Sequence, residues 1–192
     1  MGTGAFSTAS VEDRSLTAEV AGDESAMVSL VPGADSDIST NSDGALKLDL
    51  SGDDGEGVNI DSVYTWGDHD NPASDHAFKI TNQDNSTYND VTFSYDVEND
   101  GWIQRHDWNK GEESILKFTV YASGAMTDMV APNHALMTMN PVSRNITGPH
   151  SWLQFAPGDE WYVVVDIDTT GPYASTEDDL SGDLTIEVSN RD

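Results

Sequence analysis

Apolar and polar side chains alternate along most of this chain with a period of two. Leu16-Thr17-Ala18-Glu19-Val20 and Leu46-Lys47-Leu48-Asp49-Leu50 each put their apolar members on one side of an extended backbone, as a half-buried strand does. Comparable runs predict strands over residues 26–31, 58–64, 77–81, 91–97, 115–122, 152–155, 161–167 and 184–188. Val163, Val164 and Val165 follow one another without alternation, so that strand is expected to be covered on both faces. Turn clusters separate the runs: Pro32-Gly33, Ser51-Gly52-Asp53-Asp54-Gly55, Asn99-Asp100-Gly101 and Ala156-Pro157-Gly158-Asp159. Asp100-Gly101, between the run ending at Val97 and Trp102-Ile103, supplies the positive φ of a tight hairpin. Helical periodicity is scarce. About ten short strands with turns between them predict an all-β domain, a sandwich or barrel and not a βαβ protein.

One stretch breaks the pattern. Residues 124–150 show little alternation and contain Pro132, Pro141 and Pro149 with four of the six methionines: Met126, Met129, Met137 and Met139. A connection of that length either functions or packs as its own small unit. Methionine is soft and adaptable, so the stretch reads as a lateral contact surface for another chain or as a cap on one open end of the sandwich. No second domain or linker is evident.

The chain has 192 residues, with 35 Asp and Glu against 8 Lys and Arg, no cysteine, and a formal charge of −27. A nucleic-acid partner would need a basic footprint, and the field here has the opposite sign. Without cysteine there is neither a disulfide framework nor a thiolate zinc site. No apolar run approaches the roughly 20 residues that span a bilayer, so no membrane insertion of this chain is expected. High charge often means disorder, but five Trp, six Tyr and five Phe offer enough apolar surface for a core. The result is a folded domain in an acidic shell. A globule of this mass exposes roughly 9,000 Å², so its net charges lie about 18 Å apart. They repel at about 0.01 M salt, where the Debye length is about 30 Å, and hardly interact at about 1 M, where it is about 3 Å. Ordinary solubility needs only about −2 to −8 for a small domain. The excess charge, with Asp favoured over Glu and little Lys, points to a protein made for concentrated salt.

Candidate chemistry is sparse. His69 and His76 share a loop with Asp68, Asp70 and Asp75, a set able in principle to hold a divalent ion, although an Asp-rich loop is also what this composition produces by chance. Asn41-Ser42-Asp43-Gly44 matches part of a calcium loop, but Ser39 and Leu50 occupy ligand positions, which excludes an EF-hand. Asp35, Asp37 and Asp43 are left as a loose cation set, and no cofactor is expected beyond loosely bound calcium or other cations. The chain has no H-E-x-x-H, no G-x-S-x-G and no phosphate-cradling glycine loop. Ser114-Ile115-Leu116-Lys117 matches S-x-x-K, yet strand alternation puts its serine and lysine on opposite faces. An enzyme is therefore not expected. Two N-glycosylation sequons, Asn85-Ser86-Thr87 and Asn145-Ile146-Thr147, fall in predicted loops and matter only for an exported protein.

The start of the chain is distinctive. Its first eleven residues carry no charged side chain, and Gly4, Ala5, Phe6, Ser7, Thr8, Ala9, Ser10 and Val11 form a small, extended-compatible segment with Phe6 as its one large anchor. Gly2-Thr3-Gly4-Ala5-Phe6-Ser7, a short polar stretch and the strand at residues 16–20 together resemble the mature start of the TasA/camelysin family of exported fibre proteins, as found in haloarchaea. Phe78-Lys79-Ile80-Thr81-Asn82, the run 91–97, the run 161–168 and the closing run 184–188 extend the resemblance over most of the chain. It implies a jelly-roll domain and export through a signal peptide that is not part of this sequence. It also implies assembly into extracellular filaments of the biofilm-fibre or archaeal bundling-pilus kind.

In such fibres the N-terminal segment of one subunit enters a sheet of the next as a donor strand. On that reading residues 1–15 are the donor segment and residues 16–192 a single jelly-roll domain. The partners are further copies of the chain, and then neighbouring filaments or cell-surface components. The family pattern lacks this acidity and the Met-rich insertion, which could stand where relatives make bundling contacts. Alternatively, residues 2–11 fold back on their own domain or fray. Two other functions stay open. One is a monomeric cell-surface module that presents Trp66, Trp102 or Trp108 to a glycan; the other is a secreted metalloprotease, a label that camelysin-like proteins have carried.

Subunits of one sign repel, so assembly is expected to need high salt or bound cations. Diluting fibres from molar to about 0.01 M salt is expected to dissolve them before the domain unfolds. Light scattering should fall ahead of the far-UV circular dichroism signal, and unfolding that comes first contradicts the expectation.

Overall fold

The computed structural model describes residues 15–18, 28–35, 37–40, 46–49, 59–88, 90–97, 114–122, 135–139, 145–146, 154–175, 178, 180 and 182–189. These residues hold strands and turns with no helix, so the domain is all-β. The strands are β1 (Ser15–Ala18), β2 (Val28–Pro32), β3 (Ile38–Thr40), β4 (Leu46–Asp49), β5 (Val63–Trp66) and β6 (Phe78–Asn82). After them come β7 (Asp90–Val97), β8 (Ile115–Ala122), β9 (Ala135–Met139), β10 (Asn145–Ile146), β11 (Glu160–Asp168) and β12 (Gly182–Ser189).

They form two sheets. One runs in the order β10, β7, β12, β1, β4, β3; the other runs β2, β6, β11, β8, β9, with β5 also beside β11. β6 pairs with the first half of β11, Glu160 to Val163, and β5 with the second half, Val165 to Asp168. Among the described strands β1 and β12 make the one parallel pair; the other pairings are antiparallel.

Alternation puts one face of each sheet into a common core. Phe93, Tyr95 and Leu184 come from the first sheet, and Phe78, Ile80, Leu116, Phe118, Val120, Trp161, Val163 and Val165 from the second. Across the gap the Tyr95 and Phe118 rings stand 5.5 Å apart, and Phe155 packs on Trp161 at 4.6 Å. The Tyr95 hydroxyl is not stranded there, because it donates to the Leu180 carbonyl at 2.5 Å.

β11 is buried on both faces, as its valine run predicts: Val163, Val164 and Val165 are all inaccessible to solvent. Val164 faces away from the main core and clusters with Tyr121 and Tyr162. Residues 67–77 cross this outer face. The backbone leaves no room for a side chain where that loop closes: a Cβ on Gly33 would fall 1.7 Å from the His76 carbonyl oxygen, and Gly67 has φ of +92°.

Two expectations about elements are corrected. Residues 59–62, expected within a strand, form a turn in which Asp61 takes φ of +55°. Thr169 holds it, accepting from the Asp61 N–H, donating its own N–H to Ser62 and its hydroxyl to the Asn59 carbonyl at 2.6 Å. The strand begins only at Val63 because the backbone groups before it are already spent on Thr169. The stretch 124–150 is not without strands: β9 lies against β8, with Met137 opposite Val120 and Met139 opposite Phe118, and β10 lies against β7. It thus contributes to both sheets. β3, too short to show alternation, went unpredicted. The expected hairpin at Asp100-Gly101 lies outside the described residues.

Phe118 fills the middle of the core, so Phe118→Ala is expected to cost about 3–5 kcal/mol. Urea midpoints in molar salt measure it, and a loss under about 1 kcal/mol would contradict so central a place for the ring.

Candidate functional site

Gly4, Ala5, Phe6, Ser7, Thr8, Ala9, Ser10 and Val11 lie outside the described residues, but the root of their segment does not. β1 sits inside its sheet, with Leu16 between Gly182 of β12 and Leu48 of β4. Both flanks of its backbone have neighbours, which anchors the segment's base. Gly182 in turn pairs with Val97, the last residue of β7. The chain therefore enters β1 at the end of the domain where β7 finishes, opposite to the end where β12 reaches Ser189.

The histidine loop has a different architecture from the one expected for a metal centre. Tyr121 donates its hydroxyl proton to His69 Nδ1 at 2.6 Å, and the other ring nitrogen, Nε2, donates to Asp166, 3.0 Å from each carboxylate oxygen. Asp166 also accepts from the Thr65 hydroxyl at 2.9 Å and pairs with Lys117 at 3.3 Å. Burial raises the Tyr121 phenol above its ordinary range, and Asp166, Asp70 and Asp68 add to the shift. The phenol thus stays protonated and serves as a donor, not as a nucleophile. His76 packs against Tyr162 with ring centroids 5.1 Å apart and the rings tilted by 42°, and donates from Nδ1 to the Pro72 carbonyl at 3.1 Å. Both rings are turned onto the outer face of the second sheet and clamp the loop there.

The Asp68 carboxylate is used locally. Asp68 accepts from the Asp70 N–H at 2.8 Å, and its own N–H donates to the Asp75 carbonyl at 3.0 Å. Among the described residues no group of three or more His, Asp or Glu is arranged to hold a metal ion, so Asp68, Asp70 and Asp75 are not brought together with His69 and His76. Asp37 accepts from the Trp66 indole at 3.0 Å, Asp35 is exposed, and Asp43 lies outside the described residues.

Other expected sites sort as follows. Trp66 is buried and stacks with Tyr64 at 6.1 Å, so it offers no open face to a sugar; Trp102 and Trp108 lie outside the described residues. Met137 and Met139 are on β9, while Met126 and Met129 lie outside the described residues. Asn85 is exposed in the connection between β6 and β7, and Asn145 starts β10 instead of lying in a loop. Ser114 donates to buried Asp178 at 2.6 Å, far in function from Lys117 on the outer face.

Sequence reasoning missed the Tyr121–His69–Asp166 chain. Its one signal was Lys117 and Asp166, charged positions in otherwise apolar strands, which the ladder sets opposite each other. Thr119 shares that face and is buried at 3 % exposure with a hydroxyl that makes no hydrogen bond among the described residues. Comparison with protein-family models, with curated proteins and with solved structures finds no match to this chain.

Burial lowers His76 below its ordinary value, more than the Pro72 carbonyl raises it. The unfolded chain therefore takes up the extra proton first as pH falls through about 6.5, and stability is lost in that direction. His76→Gln is expected to flatten this loss. Urea midpoints of both proteins at about pH 7.5 and about pH 5.5 compare the slopes, and equal slopes contradict the assignment.

Proposed function

We propose that the protein is a non-catalytic structural subunit of an extracellular filament in a high-salt environment. Subunits join head-to-tail, with Gly4 to Val11 of one copy added as a strand to a sheet of the next. The domain is a jelly roll in this reading, and the resemblance of its first residues to the TasA/camelysin fibre proteins points the same way.

The observation that carries the reading is the contrast between a −27 chain and its first eleven residues, which bear no charged side chain. Magnitudes explain why the contrast matters. Each main-chain hydrogen bond of an added strand contributes about 1 kcal/mol net. Burying one unpaired charge costs several kcal/mol, enough to cancel most of a short strand's pairing. Only an uncharged segment can enter the sheet of an acidic neighbour at a profit.

Three further features support it. The segment is rooted in β1, whose flanks are held by β12 and β4, so a pull on the segment is taken up by a whole sheet. Both sheets are open among the described strands, ending at β10 and β3 and at β2 and β9, and a sheet edge accepts an added strand through its main chain. A contact between two different surfaces that does not close into a ring builds an open filament.

Deleting residues 2–11 is expected to leave a folded monomer that cannot polymerise. Electron microscopy and light scattering in molar salt should show rods for the full chain and monodisperse particles for the truncation, with matching far-UV spectra. Filaments of normal length from the truncated chain would overturn the proposal.

A further inference from the structure

The two sequons are equivalent in sequence and very different in the fold. We infer that Asn85, and not Asn145, is an acceptor for an N-linked oligosaccharide; the inference rests on the extracellular part of the function proposed above.

Asn85, Ser86 and Thr87 are all exposed, at the tip of the connection from β6 to β7. Fixed points on both sides hold this tip out. On one side Asn82 is 1 % exposed and donates its side-chain amide to the Ser86 carbonyl at 3.0 Å and to the Phe155 carbonyl at 2.8 Å. On the other, buried Tyr88 bridges to Phe155 and donates its hydroxyl to Asp84. The backbone N–H of Asn85 is taken by Asp84 Oδ1 at 2.7 Å, while its side-chain amide has no partner among the described residues. A transferase needs the amide nitrogen and the hydroxyl two residues on within one accessible stretch of backbone outside any strand ladder, and the tip supplies both.

Asn145 does not meet that requirement. Asn145 and Ile146 are the two residues of β10, in register with Ser94 and Phe93 of β7. Threading that sequon through a transferase would first require peeling β10 off its sheet.

The step is a substitution at the anomeric carbon of a lipid-phosphate-linked oligosaccharide. Asn85 Nδ2 forms the new C–N bond as the C–O bond to the phosphate breaks. The amide gives up one proton to a base of the transferase, and the lipid phosphate leaves with the bonding electrons. The attachment point lies on the connection that leads into the start of β7 at Asp90, which pairs with Ser189, whereas Leu16 of β1 pairs with Gly182. A glycan on Asn85 thus stands at the end of the domain opposite to the root of the N-terminal segment.

The scarcity of basic residues makes the test direct. Cleavage after Lys79 and Arg105 isolates Asn85 on peptide 80–105, and cleavage after Arg144 and Arg191 isolates Asn145 on peptide 145–191. The full chain is secreted from an N-glycosylating halophilic host behind the signal peptide of a resident glycoprotein, which is recovered from the same medium as a control. Mass spectrometry of the intact protein and of the two peptides is expected to place the glycan on peptide 80–105. The added mass should vanish in Asn85→Gln and Thr87→Ala and persist in Asn145→Gln. An unmodified peptide 80–105 beside a modified control glycoprotein, or a glycan on peptide 145–191 alone, would overturn the inference. Electron microscopy of the same secreted protein separates the two ideas: a glycan on Asn85 without filaments refutes only the assembly, and filaments with bare Asn85 refute only the acceptor site.

Discussion

Strand β11 must be buried on both of its faces, and the arrangement of the second sheet follows from that need. A run of three valines cannot be half solvated without exposing apolar surface whichever way it faces. The inner face is covered by the first sheet across Phe118 and Tyr95. The outer face needs a separate cover, and the chain provides it by folding residues 67–77 back over Tyr162 and Val164. Gly33 and Gly67 let that loop approach at backbone distance, and the two histidines fasten it. Residues that look like metal ligands in the sequence are thereby consumed as clamps over a small second core.

Among the described residues, the lysine side chains meet the acidic shell on the same outer face. Lys79 pairs with Glu160 and Lys117 with Asp166 across neighbouring strands, and His69 reaches Asp166 from the loop through its Nε2–H. Exposed pairs of this kind contribute little each, about 0–1 kcal/mol. Their value is positional, because they hold β6 and β8 in register on β11, as the Thr65 hydrogen bond to Asp166 does for β5. A net charge of −27 far exceeds what two such pairs offset, and salt screens the excess. That division gives the uncharged first eleven residues their meaning in the proposed assembly: the shell keeps subunits apart, and a segment without charge provides the place where they join.

Most strands were legible because alternation with period two is written within the strand itself. The runs at 46–50, 91–97, 115–122, 161–167 and 184–188 correspond to β4, β7, β8, β11 and β12 within two residues. Where the reading failed, the cause lay outside the local pattern. The run 58–64 carries apolar positions that suit a strand, but Thr169, more than a hundred positions away, takes backbone bonds of residues 59–62. β9 and β10 escaped notice because short edge strands need only a partner's ladder and little pattern of their own.

The sequence by itself determined the all-β class, the double burial of β11, the acidic shell and the uncharged start, since each depends on composition or on neighbours one or two residues apart. Only the tertiary structure decided which side chains meet. It buried Trp66, turned His69 toward Tyr121 and Asp166, gave β9 and β10 to different sheets, and left Asn85 open while it laid Asn145 into a ladder. Those outcomes depend on contacts between residues far apart in the chain, whose geometry is set when two sheets close on one core.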